Sequence, residues 1–225
     1  LNHLGALSDV KLTGNRIFFY GGTEELNAMM NQLINDYPQT RFISVGFSMG
    51  GNITTKFLTQ VSEEQRRRIL VGLSVCQGYS ATNSTKMYHD WENGRRIYNY
   101  FITENMKRLL RRNYDQAVAP HVAKGLIDEQ RLWAATSIVA FDENYNRRVA
   151  GFQTLEGFYE WCDSLPHLQD IRELASRCED MAFISTRHGG HLGFLEGSSF
   201  APHSVTWLDR FIVVVANQAV KAYGS

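Results

Sequence analysis

Apolar residues along the chain fall into two alternating periods. Leu26, Met29, Met30, Leu33, Ile34 and Tyr37 recur at helical spacing, which predicts one buried helix face. Glu24 and Glu25 stand in its first turn, where the helix dipole favours them, and Pro38 ends it. Arg41-Phe42-Ile43-Ser44-Val45 then reads as a strand, and Met49 to about Gln60 as a helix burying Ile53, Phe57 and Leu58. Glu63 to Arg68 is charged and reads as solvated, and Ile69 to Cys76 as a second buried strand. Upstream, Arg16-Ile17-Phe18-Phe19-Tyr20 predicts a short strand broken by Gly21-Gly22. Strand, helix, strand, helix, strand in succession implies an α/β architecture with parallel strands and helical crossovers.

That rhythm stops at Gln77. From there to about Trp161 the pattern is helical (Met87 to Leu110, Gln130 to Val139), with no convincing β run. The organisation expected is therefore one domain with its core at 1–76 and 162–225 and a helical insertion, of the kind that forms a lid, at about 77–161. Arg95, Arg96, Lys107, Arg108, Arg111 and Arg112 cluster in the insertion. They read first as a solvated helix face and, as the sharper alternative, as a surface for an anionic membrane. Met181 to Ser185 predicts a last short strand, followed by the glycine-rich loop Arg187 to Phe194. After Pro202 comes a final helix with Leu208, Phe211, Ile212, Val215 and Ala219 on one face.

Composition narrows the function classes. With 225 residues the chain can bury a sizeable core. Its 23 basic and 23 acidic residues balance, which argues against nucleic acid as a partner. Cys76, Cys162 and Cys178 lack metal-ligand spacing, and an odd number of cysteines does not close a disulfide framework, so no metal or cofactor is indicated. No apolar run reaches membrane-spanning length, and no signal peptide is expected from the sequence as it stands. The chain opens on Leu1 rather than Met, which leaves room for an upstream segment.

Against that background Gly46-Phe47-Ser48-Met49-Gly50 stands out. A Gly-x-Ser-x-Gly match is expected about 0.1 times by chance in this composition, and here it joins a predicted strand to a predicted helix. That is the context of a nucleophile elbow, with Ser48 as nucleophile and both glycines expected to relieve crowding around the turn. A serine hydroxyl needs an imidazole base and a carboxylate to orient that imidazole. In elbow folds the acid and then the histidine follow the serine, the histidine on a loop after the last strand. His188 and His191 both fit, and His191 is preferred because the loop turns there toward the next helix. Asp163, Asp170, Glu173, Glu179 and Asp180 follow no strand-like stretch, so the acid is left unassigned. The backbone N–H of Met49 is the expected oxyanion donor, and the second donor is expected from a strand upstream of Leu1.

Three stretches resemble the abhydrolase domain-containing lipases: Val45 to Asn52, Ser74-Val75-Cys76-Gln77-Gly78-Tyr79-Ser80, and His188 to Gly197. Leu1 to Leu7, Phe18 to Met30, Gly151-Phe152 and Phe158-Tyr159 fit the same family, so the resemblance covers nearly the whole chain. It implies an α/β-hydrolase fold with an inserted helical lid. It also implies a serine esterase acting on acylglycerols, monoacylglycerols foremost, through an acyl-serine intermediate. By position Ser48 is then the nucleophile and His191 the base. The family carries an N-terminal membrane anchor, so membrane association is expected. It also places its acid in an Asp-Asp-Pro turn after a strand, and this sequence has no Asp-Asp-Pro. The acid-bearing strand and the N-terminal strands therefore read as missing. The alternatives are an acyltransferase using the same serine and a catalytically impaired lipid-binding or interaction form.

Overall fold

The computed structural model describes residues 1–88, 95–168, 182, 184–187, 191–198 and 201–223. In chain order the described elements begin with α1 (Glu24–Asp36), β1 (Phe42–Phe47), α2 (Met49–Gln60), α3 (Glu63–Arg68) and β2 (Ile69–Val75). Helices α4 (Ala81–Met87), α5 (Arg95–Arg112), α6 (Tyr114–Ala117), α7 (Ala119–Ala123), α8 (Glu129–Ala134) and α9 (Ile138–Phe141) follow. A π-helical turn (Asp142–Asn146) leads into α10 (Arg147–Val149) and α11 (Leu155–Cys162), and the chain continues through β3 (Gly197–Ser198), β4 (Ala201–Pro202) and α12 (Trp207–Tyr223). The described residues are thus rich in helix, with β1 and β2 the one parallel pair among them.

The chain divides into two units, Leu1–Glu25 with Ser80–Asp163, and Leu26–Tyr79 with Ser164–Ser225. In the second unit β1 and β2 pair in parallel, Ile43 opposite Val71 and Phe47 opposite Val75. A parallel pair needs a crossover, and α2 and α3 supply it. Leu26, Met30 and Ile34 of α1 pack with Ile53 and Phe57 of α2, which is the face their spacing predicts. Leu58 is only half-buried but lies against β2 at Gly72, where a Cβ would come within 2.3 Å of its Cδ1.

In the charged run Glu63 to Arg68, expected to be solvated, Glu63, Glu64, Arg66 and Arg67 are exposed, and the run forms a helix that the charge pattern did not predict. Ser62 caps it, and Gln65 bonds back to the Ser62 N–H in a capping box. The side chain of Gln65 is buried between Asn27 and Asn31, while the flanking charges stay in water.

The other unit is held by two clusters. Leu110, Val118, Leu132, Phe141 and Tyr145 enclose Ile17, and Phe158, Tyr159 and Cys162 pack with Phe152 and Trp161. Burial of each large apolar side chain contributes roughly 1.5–3 kcal/mol.

Two strand expectations are corrected. Residues 16–20 bury Ile17 and Phe19 but form no strand, because their neighbours are helices and offer no ladder. Ala182, Ile184 and Ser185 are likewise in no strand; Met181 and Phe183 lie outside the described residues. The helix expected over Gln130 to Val139 breaks at Ala135, whose backbone is extended, and Ser137 caps a new start. The helical pattern from Met87 to Leu110 is carried by the end of α4 and by α5, with residues 89–94 outside the described set. In α12, Leu208 and Ala219 are buried and Phe211, Ile212 and Val215 half-buried, as the spacing predicts. Among the described residues no helix is long and apolar enough to cross a membrane.

Candidate active site

The turn at the end of β1 is built by crowding. Ser48 follows the last paired residue of β1, and its N–H donates to the carbonyl of Val75 across the sheet (2.9 Å). Its own carbonyl accepts from Gly51 and Asn52, so α2 starts immediately. Reversing direction in so few residues forces Ser48 to φ 53°, ψ −115°. That conformation costs a β-carbon-bearing residue of order 1–3 kcal/mol, a strain that clusters at functional sites. Gly46 is obligatory here, since a Cβ would lie 2.0 Å from the Gly50 carbonyl oxygen and 2.5 Å from Thr54 Oγ1. Gly50 is not, because a Cβ there meets nothing within 4 Å. This corrects the expectation that both glycines relieve crowding: the close approach is made by the backbone of Gly50, and its own Cβ position faces open space.

Ser48 is the N-cap of α2, yet its hydroxyl makes no capping bond, unlike that of Ser62. The hydroxyl is turned outward instead, and His191 Nε2 stands 2.8 Å from Ser48 Oγ. For the imidazole to accept the serine proton, its own proton must sit on Nδ1. His188 lies outside the described residues.

Among the described residues three non-glycines have positive φ: Ser48, Cys76 and Leu192. Cys76 follows Val75, the acceptor of the Ser48 N–H, and Leu192 follows His191. The backbone strain thus collects around this one pair of side chains.

The histidine loop is anchored through its aromatic residue. Phe194 packs on Trp207 (5.6 Å between ring centroids), and Trp207 stacks on Phe211 within α12 at 5.1 Å. Glu196 pairs with Arg210, and its carbonyl accepts from the His203 N–H. Thr206 and Asp209 cap α12, and the hydrogen bonds from Thr206 hold the Asp209 carboxyl below its usual range.

Behind Ser48 runs a buried polar network. Ser164 Oγ donates to Gln77 Oε1 (2.7 Å), Gln77 Nε2 donates to Thr55 Oγ1 (2.9 Å), and Thr55 Oγ1 donates to the Gly51 carbonyl (3.0 Å). Ser74 Oγ donates to the same carbonyl (3.0 Å). The first turn of α2 is therefore pinned to the residues that follow β2. Met49 is the first residue of α2, so its N–H belongs to the helix turn that has no intrahelical acceptor. An anion next to Ser48 would meet that N–H and the positive end of the helix.

The carboxylates separate less clearly. Asp163 accepts from Ser80 Oγ (2.9 Å), from Thr82 Oγ1 (3.3 Å) and from the N–H groups of Ala81 and Thr82, so it caps α4. Asp170, Glu173, Glu179 and Asp180 lie outside the described residues. A hydroxyl, an imidazole and a helix N-terminus in this arrangement are the groups that acyl-transfer chemistry can use as nucleophile, base and oxyanion donor. Sequence reasoning missed Gln77, Thr55, Ser74 and Ser164. The signal available was that the residues after β2 must sit beside the elbow once the two strands pair in parallel.

No protein-family model matches the chain, and no solved structure matches it. Curated relatives do. Abhydrolase domain-containing protein 2 of Drosophila melanogaster is 36% identical over 244 residues, covering 98% of this chain and 61% of its own length. Monoacylglycerol lipase ABHD2 of Homo sapiens is 36% identical over 244 residues, 96% of this chain and 57% of its own. Phospholipase ABHD3 of Homo sapiens is 23% identical over 93% of this chain. The abhydrolase name implies an α/β-hydrolase fold, and the parallel pair with its crossover is consistent with part of one. The chain spans about three-fifths of the ABHD2 relatives. The matched span of 244 residues also exceeds the 225 of the chain, so those relatives carry residues within it that this chain lacks.

Proposed function

This chain is a homologue of the abhydrolase domain-containing proteins named ABHD2, and on that premise we propose that it is a serine hydrolase of lipid esters, with monoacylglycerols as the substrate class. The observation that carries the reading is the 2.8 Å approach of His191 Nε2 to a strained, outward-turned Ser48 hydroxyl. Ser48 Oγ attacks the acyl carbonyl carbon while His191 Nε2 takes its proton. The negative charge that forms on the carbonyl oxygen is met by the Met49 N–H. His191 returns the proton to the departing glycerol oxygen, leaving an acyl-serine. Water, deprotonated by His191, then attacks the acyl carbon and releases the fatty acid and Ser48. With an alcohol in place of water, the same serine would act as an acyltransferase. The helical unit is read as the inserted lid of such a fold, and association with a membrane is part of the same proposal.

A second reading is favoured by two observations. Asp163 is engaged in capping α4, and the relatives carry internal residues absent here. On this reading the chain is a form that binds lipid or partners with little turnover.

A fluorophosphonate probe separates the two readings. The hydrolase reading expects stoichiometric labelling that Ser48→Ala abolishes and His191→Ala slows by about 10²–10⁴-fold, together with glycerol release from monoacylglycerol. Labelling that survives Ser48→Ala refutes it. Labelling without glycerol release supports the second reading.

A further inference from the structure

Helix α5 is built inside out as far as Lys107. Its inward positions Asn99, Thr103 and Lys107 are polar and buried, and only the next inward residue, Leu110, joins the apolar core. Each is satisfied there: the Ile138 N–H donates to Asn99 Oδ1 (2.7 Å), Thr103 Oγ1 donates to the Asn99 carbonyl (2.8 Å), and Lys107 Nζ donates to the Trp133 and Ala135 carbonyls (3.0 and 2.8 Å). Those bonds fix the rotation of the helix. The opposite face carries Ile97 (57% exposed), Tyr98 (64%) and Phe101 (60%).

Further along, at helical spacing from Ile97 and Phe101, the same stripe carries Arg108 and Arg112. Arg108 bonds the amide oxygen of Asn105, and Arg112 bonds the carbonyls of Gly5 and Ala6, neutral groups that leave both charges standing. The one acid on α5, Glu104, is paired with the buried Lys107. An amphipathic helix normally turns such a stripe inward. Aliphatic and aromatic side chains beside uncompensated arginines, with polar groups on the other face, match a helix that lies in a lipid–water interface.

The geometry points to an anionic lipid surface as the partner of this stripe: Ile97, Tyr98 and Phe101 enter the headgroup layer while Arg108 and Arg112 meet the anionic headgroups. Such binding falls with ionic strength, because the arginines act through a screened surface potential. It is a separate property from ester hydrolysis and does not need Ser48.

The test is flotation of the full chain with phosphatidylcholine vesicles, with and without phosphatidylserine. The wild type and Ser48→Ala float equally with the phosphatidylserine vesicles, and much less at high salt or on phosphatidylcholine alone. Ile97→Ser with Phe101→Ser lowers the partition coefficient by about tenfold or more, and Arg108→Glu lowers it severalfold. Val213→Ser with Val220→Ser, equally exposed on α12, leaves it unchanged.

Binding that ignores the Ile97/Phe101 pair, or that the α12 pair reduces as much, overturns the proposal. So does a wild-type dimer in light scattering that the double variant splits, which would mean that a second copy covers the stripe. If the double variant melts early, Arg108→Glu decides alone, and an unchanged partition coefficient refutes the assignment. Because flotation is read with Ser48→Ala, failure of docking and failure of the hydrolase reading show up in different assays.

Discussion

The two glycines of the elbow should respond in opposite ways to the same substitution. In Gly46→Ala the new Cβ would sit 2.0 Å from the Gly50 oxygen, 2.3 Å from its carbon and 2.5 Å from Thr54 Oγ1. Ordinary contacts there are at least about 3.4 Å, so the turn must open by more than about 1 Å. The nearest atoms are backbone, held by the strand pairing of Gly46 opposite Ser74 on one side and the first turn of α2 on the other. Overpacking of this kind costs about 1–3 kcal/mol or more, which lowers Tm by roughly 3–10 °C in a chain of this size. The same opening carries Ser48 off its 2.8 Å approach to His191, and a misplacement of about 1 Å costs roughly 10²-fold in rate. Gly50→Ala adds a Cβ in open space within a helix, where alanine is favoured over glycine by about 0.5–1 kcal/mol. That variant should melt slightly higher and label within about twofold of wild type. Fluorophosphonate labelling rates and thermal melts of the two variants, read side by side, check this. Equal losses in both, or a Gly46→Ala that melts and labels as wild type, would refute the reasoning, and the melting half stands even if the chain turns over no substrate.

Two further outcomes follow from buried polar groups. Gln77→Leu takes the short acceptor from Ser164 Oγ, leaving it only the 3.4 Å bond to the Tyr79 carbonyl, and takes the donor from Thr55 Oγ1, which keeps its own bond to the Gly51 carbonyl. At about 1–3 kcal/mol for weakening such a buried pairing it should lower Tm by roughly 2–10 °C and slow labelling, because the first turn of α2 keeps the Ser74 tether but loses the one through Gln77; a wild-type melt would show that the network carries no stability. Asp142, buried in the π-helical turn, is pushed up from 3.8 to about 7 by loss of hydration, against the pull of hydrogen bonds from Asn146 and Tyr159. The native state therefore holds this proton where the unfolded chain has lost it. The stability from the neutral form is complete below about pH 4 and is lost as pH rises through about 7, ~4 kcal/mol in all. Urea titrations should find Asp142→Asn more stable than wild type at pH 8 and no more stable at pH 4; a pH-independent difference would rule out this origin.

Local periodicity determined much of what positions the site. The face of α1, the run of β1, the start of α2 at Met49 and the run of β2 are legible because each is set by near neighbours in sequence: helical spacing, β-type runs and turn glycines. The approach of His191 to Ser48 was legible for a related reason, since strand–turn–helix chemistry and chain order restrict which residues can meet. The capping box at Ser62 and Gln65 was equally local and was missed because the charged run after it has no apolar period to mark a helix.

Tertiary structure alone decided the rest. The strand pattern at residues 16–20 has no ladder to join, so its apolar side chains pack among helices instead. Ser164 and Gln77 are 87 positions apart, and no spacing rule links them. Which glycine of the elbow is obligatory depends on where the backbone of α2 returns over β1. The inverted face of α5 depends on partners at Trp133, Ala135 and Ile138 that take up its polar groups. Side-chain period records which residues share a face, but the direction of that face is set by what the folded chain places opposite it.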